Sequence, residues 1–172
     1  PFTRRGKISS TKLWKKLYKN IFFYQNYFQK LDIPENELER DISISLQKIY
    51  YWCSAEGYKE KIKTSKNINS GLLDEIPLPK SKLKWLNNNN LQSMVSDFEE
   101  SGFKGALHRY RAQDIDWLEL KELEKLSIIP PSLFIGGEYD PVRRFIKDYD
   151  AYKNAGKFCE NFKGCHIING AG

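Results

Sequence analysis

Asp140 stands in the stretch GGEYDPV, directly after a short apolar run and before a proline. A carboxylate in that place can accept the ring N–H of a histidine and stabilise the imidazolium that forms during base catalysis. It can equally cap the start of a helix, a role for which Asp is well suited, and spacing alone leaves the two readings open. Tyr24 in FFYQNYFQ and Tyr110 in HRYRAQDIDW form a second pair of candidates. A phenol, with a pKa of about 10, stays protonated at neutral pH, so two phenols aimed at one oxygen could hold it and protonate it as negative charge develops. In a chain with 10 tyrosines the same residues also suit plain packing. His166, one of only 2 histidines, lies within GCHIIN, flanked by Cys165 and Ile167. Inside an apolar run its ring is expected to be packed and hydrogen-bonded, not aimed at a substrate.

These residues need elements to carry them. Leu13, Trp14, Leu17, Tyr18, Ile21, Phe22, Tyr24 and Phe28 recur at helical intervals, which predicts a helix over residues 11–29. Asp32-Ile33-Pro34 then ends it and starts a second, acidic at its front and continuing through Leu38, Ile42, Leu46 and Ile49 to about Trp52. Residues 54–86 read as a long irregular connection, rich in Lys, Ser, Asn, Gly and Pro. The Asn87–Asn90 run caps a helix with Leu91, Met94, Val95 and Phe98 on one face, closed by Gly102. One or two short helices follow in GALHRYRAQDIDWLELKEL. After Pro130-Pro131 the pattern changes to strand (SLFIGG), helix (EYDPVRRFIKDYDAY) and strand (GCHIIN), a βαβ unit that requires a parallel sheet. The expected class is α/β, with an all-helical part over residues 1–126 and a piece of a parallel core sheet over residues 127–172.

The chain has 172 residues and a net charge of +6, and the charge is uneven: residues 1–30 hold 8 Lys or Arg and no acid, while the remainder is slightly acidic. A basic run of this kind reads first as a solvated helix face, and no nucleic-acid-binding signature accompanies it. The 3 cysteines have no CxxC spacing and the histidines no ligand-like neighbours, which argues against a zinc site; their odd number, with no secretion signal, suits a reducing cytoplasm. No apolar stretch reaches the ~18 residues of a membrane span. Opening on Pro1 and not Met, the chain reads as a piece of a longer one.

Taken in order, FFYQNYFQ with PENELERD, then SGFKGALHRYRAQDIDW, IPPSLFIGGEYDPV and GCHIINGAG resemble the soluble epoxide hydrolases of the α/β-hydrolase superfamily. The resemblance covers nearly the whole chain and implies a helical lid over a mostly parallel sheet with the active site between them. In that family a nucleophilic Asp opens the epoxide to an ester, two lid tyrosines grip the epoxide oxygen, and a His oriented by an acid activates water to release a vicinal diol. Carried over, Tyr24 and Tyr110 look like the lid tyrosines and Asp140 like the acid behind the His. The base would be residue 173 and the nucleophile would precede Pro1, so this chain alone is expected to be inactive. His108 and Arg109 depart from the Asn and Trp more frequent in the family. The resemblance implies no metal or organic cofactor, an epoxide and water as partners, and neither nucleic acid nor membrane. It leaves a homo-oligomer open; exposed strand edges make self-association expected. Two alternatives stand beside it. One is a haloalkane or haloacetate dehalogenase on the same fold; the other is a non-catalytic binding fragment using the basic N-terminal helix.

Overall fold

Among the described residues, proline, glycine and short polar caps divide the first two thirds of the chain into eight α-helices, and the last third holds two parallel strands. The computed structural model describes residues 6–144, 146 and 149–172. The basic Arg4-Arg5 pair and Phe145, Lys147 and Asp148 of the expected second-domain helix lie outside the described residues. The helices are α1 (Ser10–Leu17), α2 (Tyr24–Tyr27), α3 (Ile33–Glu39), α4 (Ile42–Cys53), α5 (Ala55–Lys59), α6 (Asn88–Ser101), α7 (Lys104–Arg111) and α8 (Gln113–Glu119). The strands are β1 (Ser132–Gly137) and β2 (Phe162–Ile168).

Several ends are set by the residues that predict them. Asn87 caps α6 by accepting the Asn90 N–H at 2.8 Å, and Gly102, at φ 64°, closes it as only glycine does without strain. Residues 54–86 are irregular apart from α5, whose first turn is capped by Ser54 accepting the Gly57 N–H.

Two expected helices are each broken in two. The helix over 11–29 stops at Leu17, because Asn20 adopts φ 62° and the Phe22 N–H leaves the helical ladder for the Lys66 carbonyl at 3.2 Å. The second is interrupted at Arg40–Asp41: Asp41 is extended and caps α4 through the Ile44 N–H at 2.9 Å. In both cases the apolar spacing runs on across the break: α3 and α4 share the core of Leu38 and Leu46, while Trp14 and Tyr18 pack on Phe23, just ahead of α2.

That core is built by Leu38, Leu46, Leu72, Val95, Phe103 and Leu107, with Tyr24 and Tyr110 packed at its edge. α1 is docked on α8 by the Thr11 hydroxyl, which donates to Asp114 at 2.5 Å.

β1 and β2 pair in parallel, Phe134 opposite Cys165 and Gly137 opposite Ile168, as the strand–crossover–strand pattern predicts. The crossover, however, is not the expected α-helix: among the described residues it holds only the 3₁₀ turns Pro141–Arg144 and Ala151–Asn154. His166 is also corrected. It sits opposite Ile135 in β2 and is exposed along with it, so its ring is not packed. Among the described residues the sheet has two strands; its Leu133 and Ile135 face is exposed, while Phe134 and Gly136 on the opposite face pack against Tyr152.

Candidate active site

Tyr24 is the first residue of α2, and Tyr110 the last but one of α7. Gly102 turns the chain out of α6, and Phe103 stacks on Phe98 with centroids 4.1 Å apart, which folds α7 back along α6. Leu107 is then buried, and Tyr110, three residues on, shares its face. The two phenol rings meet edge to face, 5.9 Å apart at 82°, the arrangement the ring quadrupoles favour. Phe28 stands edge-on to both rings, and Trp52 edge-on to Tyr24.

Polar bonds stitch the two segments together. Gln29 donates through one amide nitrogen to the carbonyls of Gln25 at 3.1 Å and Tyr110 at 3.0 Å. Arg111 reaches back from α7 to the Phe28 carbonyl at 3.0 Å, the Lys30 carbonyl at 2.5 Å and both carboxylate oxygens of Glu35. Glu35 is buried, and the Arg111 guanidinium holds its carboxyl below the usual carboxylate range. Breaking such a pair strands a charge inside the protein and costs about 3–5 kcal/mol. Side chains thus tie the segment that follows Tyr24 to the end of α7 at Tyr110 and Arg111.

Asp140 follows β1 in a loop bonded to the loop after β2. The Tyr139 N–H donates to the Ala171 carbonyl at 2.8 Å, Glu138 N–H to Ile168, and Gly170 N–H to the Glu138 carboxylate at 2.9 Å. The close approach needs Gly137, where a Cβ would come within 2.8 Å of the Ala171 carbonyl oxygen. Gly172 is thereby pressed against the α4–α5 junction, where a Cβ on it would meet the Cys53 carbonyl at 2.4 Å.

All three candidates line one cavity of about 420 Å³. Tyr24 and Tyr110 contribute from the helices, Asp140 and Gly172 from the strand ends, and Phe28, Trp52, Leu72 and Phe98 make most of the wall apolar. The volume lies in the range of small-molecule sites, and a greasy wall with a few converging polar groups is their usual make-up.

Burial dominates the electrostatics. It pushes the Tyr24 phenol up to about 12, against a smaller opposing effect of the Gln25 amide, which donates to the phenol oxygen at 2.9 Å. Burial raises Tyr110 as well. Both are therefore protonated donors at neutral pH. The Cys53 thiol, also on the cavity wall, is raised to about 11 by burial and by the nearby Asp140 charge, so it stays neutral and a poor nucleophile.

Neither His108 nor His166 lines this cavity; both are exposed, on α7 and β2. Sequence reasoning missed Arg111, Glu35, Trp52 and Cys53. Glu35 entered only as an acid suited to a helix start, and nothing in its spacing links it to Arg111, 76 residues away. Among the described residues no group of three His, Cys, Asp or Glu side chains could hold a metal ion, and no helix is long and apolar enough to cross a membrane.

No family model matches the chain. Individual proteins do. The chain is 28% identical over 174 residues to epoxide hydrolase A of Mycobacterium tuberculosis, an alignment that takes in 100% of this chain and 52% of that protein. The crystal structure of epoxide hydrolase A from Mycobacterium thermoresistibile superposes with a TM-score of 0.86 at 25% identity, over 100% of this chain and 53% of the other. An epoxide hydrolase from an endophytic Streptomyces gives the same TM-score at 29% identity, over 100% and 52%. The chain thus spans about half the length of the relatives it matches.

Proposed function

We propose that this chain, which resembles epoxide hydrolases from end to end and carries the lid and part of the core of their α/β-hydrolase fold, serves the hydrolysis of an epoxide to a vicinal diol. In this reading residues 1–126 are the lid and residues 127–172 the core portion. The observation that carries it is the convergence of two protonated phenols and one carboxylate on a single apolar cavity between the helices and the strand ends.

Tyr24 and Tyr110 donate to the epoxide oxygen. As a nucleophilic carboxylate attacks a ring carbon, the C–O bond breaks, an ester bond forms, and the alkoxide takes a proton from a phenol. A histidine then removes a proton from water. The hydroxide attacks the ester carbonyl, the diol leaves with the nucleophilic carboxylate restored, and the protonated histidine returns its proton to the phenolate. Asp140 accepts the ring N–H of that histidine and stabilises its charged form. The nucleophile and the histidine are not among the side chains on the cavity wall. The proposal assigns them to the rest of a protein of the relatives' length, and it expects the 172-residue chain alone to be inactive. An epoxide and water are its small-molecule partners. A cytoplasmic location is part of the same reading, supported by three free thiols at Cys53, Cys159 and Cys165.

The test is diol formation from styrene oxide by the full-length gene product, with Tyr24→Phe and Tyr110→Phe alone and together. Each phenol acts as an oxyanion donor, so each single change should cost about 10²–10³-fold in kcat, and the double change should abolish turnover. Full activity of the double variant, or halide release from a haloalkane in place of epoxide opening, would overturn the proposal.

A further inference from the structure

Asp140 is held from two sides. Its Oδ1 accepts the Val142 N–H at 2.8 Å, the ordinary turn closure of an Asp with backbone two residues on. Its Oδ2 accepts the Tyr152 hydroxyl at 2.5 Å, a bond that a helix cap does not need. Tyr152 is buried. Its ring packs edge-on to Phe134 of β1 at 4.7 Å, and the Arg143 guanidinium lies 5.0 Å from its centroid. Arg143 is itself fixed: it pairs with Asp150 at 2.8 Å and donates to the Glu138 carbonyl at 3.1 Å, while Asp150 accepts the Tyr152 N–H at 2.9 Å. Space for the phenol comes from Gly136, where a Cβ would stand 2.4 Å from the Tyr152 ring. Burial, then the Asp140 bond, raises the phenol above its ordinary pKa, so it remains a donor throughout the neutral range.

We infer that Tyr152 is a positioning residue for Asp140: seated in the space left by Gly136, its hydroxyl fixes the carboxylate in the orientation that receives the catalytic histidine. The inference rests on the proposed role of Asp140. A carboxylate has about four lone-pair sites, and the Val142 and Tyr152 bonds take two, which leaves capacity on the side facing the cavity. Only ester hydrolysis uses the histidine and its acid; ring opening depends on the nucleophile and the two lid tyrosines. A defect at Tyr152 therefore falls on the second chemical step alone.

The test uses the full-length protein in single-turnover, rapid-quench experiments that follow both the ester, as added mass on the protein, and the diol. Tyr152→Phe keeps the ring and its packing. It should form ester at the parent rate and hydrolyse it about 10-fold more slowly, the loss of one hydrogen bond to a charged group. Asp140→Asn should slow the same step further, and adding Tyr152→Phe to it should change nothing more, as for two residues acting through one contact. If Tyr152→Phe hydrolyses the ester at the parent rate while Asp140→Asn does not, the positioning role falls and the reading of Asp140 stands. If Asp140→Asn also hydrolyses at the parent rate, both fall. If Tyr152→Phe slows both steps alike and lowers the Tm, the hydroxyl serves folding in general, and the positioning role is overturned.

Discussion

Around the tyrosines, α3, α4, α6 and α7 share a buried core in which Leu107 is 2% exposed, whereas β1 and β2 leave Leu133 at 52% and Ile135 at 57%. The two regions hold their functional groups by different means. On the helical side, apolar packing fixes the rings, and the bonds of Gln29 and Arg111 set the backbone beneath them. On the strand side, almost every bond that orients Asp140 is polar and local, running between the two loops at the strand ends or through Tyr152 and Arg143. The helical region thus carries its own stability, and the strand pair carries geometry without much of a core.

The comparison would break first at the phenols. Loss of epoxide opening in the Tyr24→Phe and Tyr110→Phe double variant, without loss of fold, is the largest effect expected anywhere in the molecule. Next comes the ion pair beneath them. Arg111→Met leaves Glu35 buried and uncompensated, and should lower the unfolding free energy by about 3–5 kcal/mol in urea titration. An unchanged midpoint would show that the helical region is not held at that point. Leu107→Ala should cost about 2–5 kcal/mol as a core truncation, while Ile135→Ala on the open sheet face should stay within about 0.5 kcal/mol. Equal costs would erase the distinction between the regions.

Smaller effects sharpen it through pH. Glu35 and Asp150 are both lowered, by the hydrogen bonds from Arg111 and Arg143 respectively, so each contributes stability present above its ordinary pKa of 4.5 or 3.8 and lost as the pH falls. Cys53 and Tyr24 are raised from 9.0 and 10.0 to about 11 and about 12, so their contribution is complete below pH 9.0 and is lost as the pH rises toward those values. Urea midpoints against pH should therefore be flat between about 4.5 and 9.0 and fall on both sides. Arg111→Met should remove the Glu35 share of the acid limb only. Smallest of all, iodoacetamide at neutral pH should label exposed Cys165 well before Cys53; the reverse order would contradict a neutral, half-buried thiol on the cavity wall.

Caps and strands were legible in the sequence because each rests on local chemistry: Asn87 and Gly102 bound α6, and the two apolar runs bound by glycine pair in parallel. The breaks at Asn20 and Asp41 were not, because hydrophobic spacing continues unchanged when the pieces on either side each keep apolar residues packed inward. Nor was the crossover, where Asp-Pro and an alternation of charged and aromatic residues fit an amphipathic helix, while the described residues form 3₁₀ turns around the Arg143–Asp150 pair and Tyr152. Of the candidate site, Tyr24, Tyr110 and Asp140 were named through resemblance, and all three line one cavity. Their supports were not, since Arg111 with Glu35 and Tyr152 with Asp140 are partners that only the folded chain introduces.

Glu37, on α3, gathers three donors onto one carboxylate: the Tyr27 hydroxyl at 2.8 Å and the backbone N–H groups of Leu72 at 2.9 Å and Leu73 at 3.0 Å. Leu72 is also part of the cavity wall. Glu37, with Lys48 donating to the Leu73 carbonyl at 3.0 Å, thus moors the long connection where it reaches the cavity wall. Two of the Glu37 bonds, from the Leu72 and Leu73 N–H groups, tie the connection itself to α3, while the Tyr27 hydroxyl ties α2 to the same carboxylate.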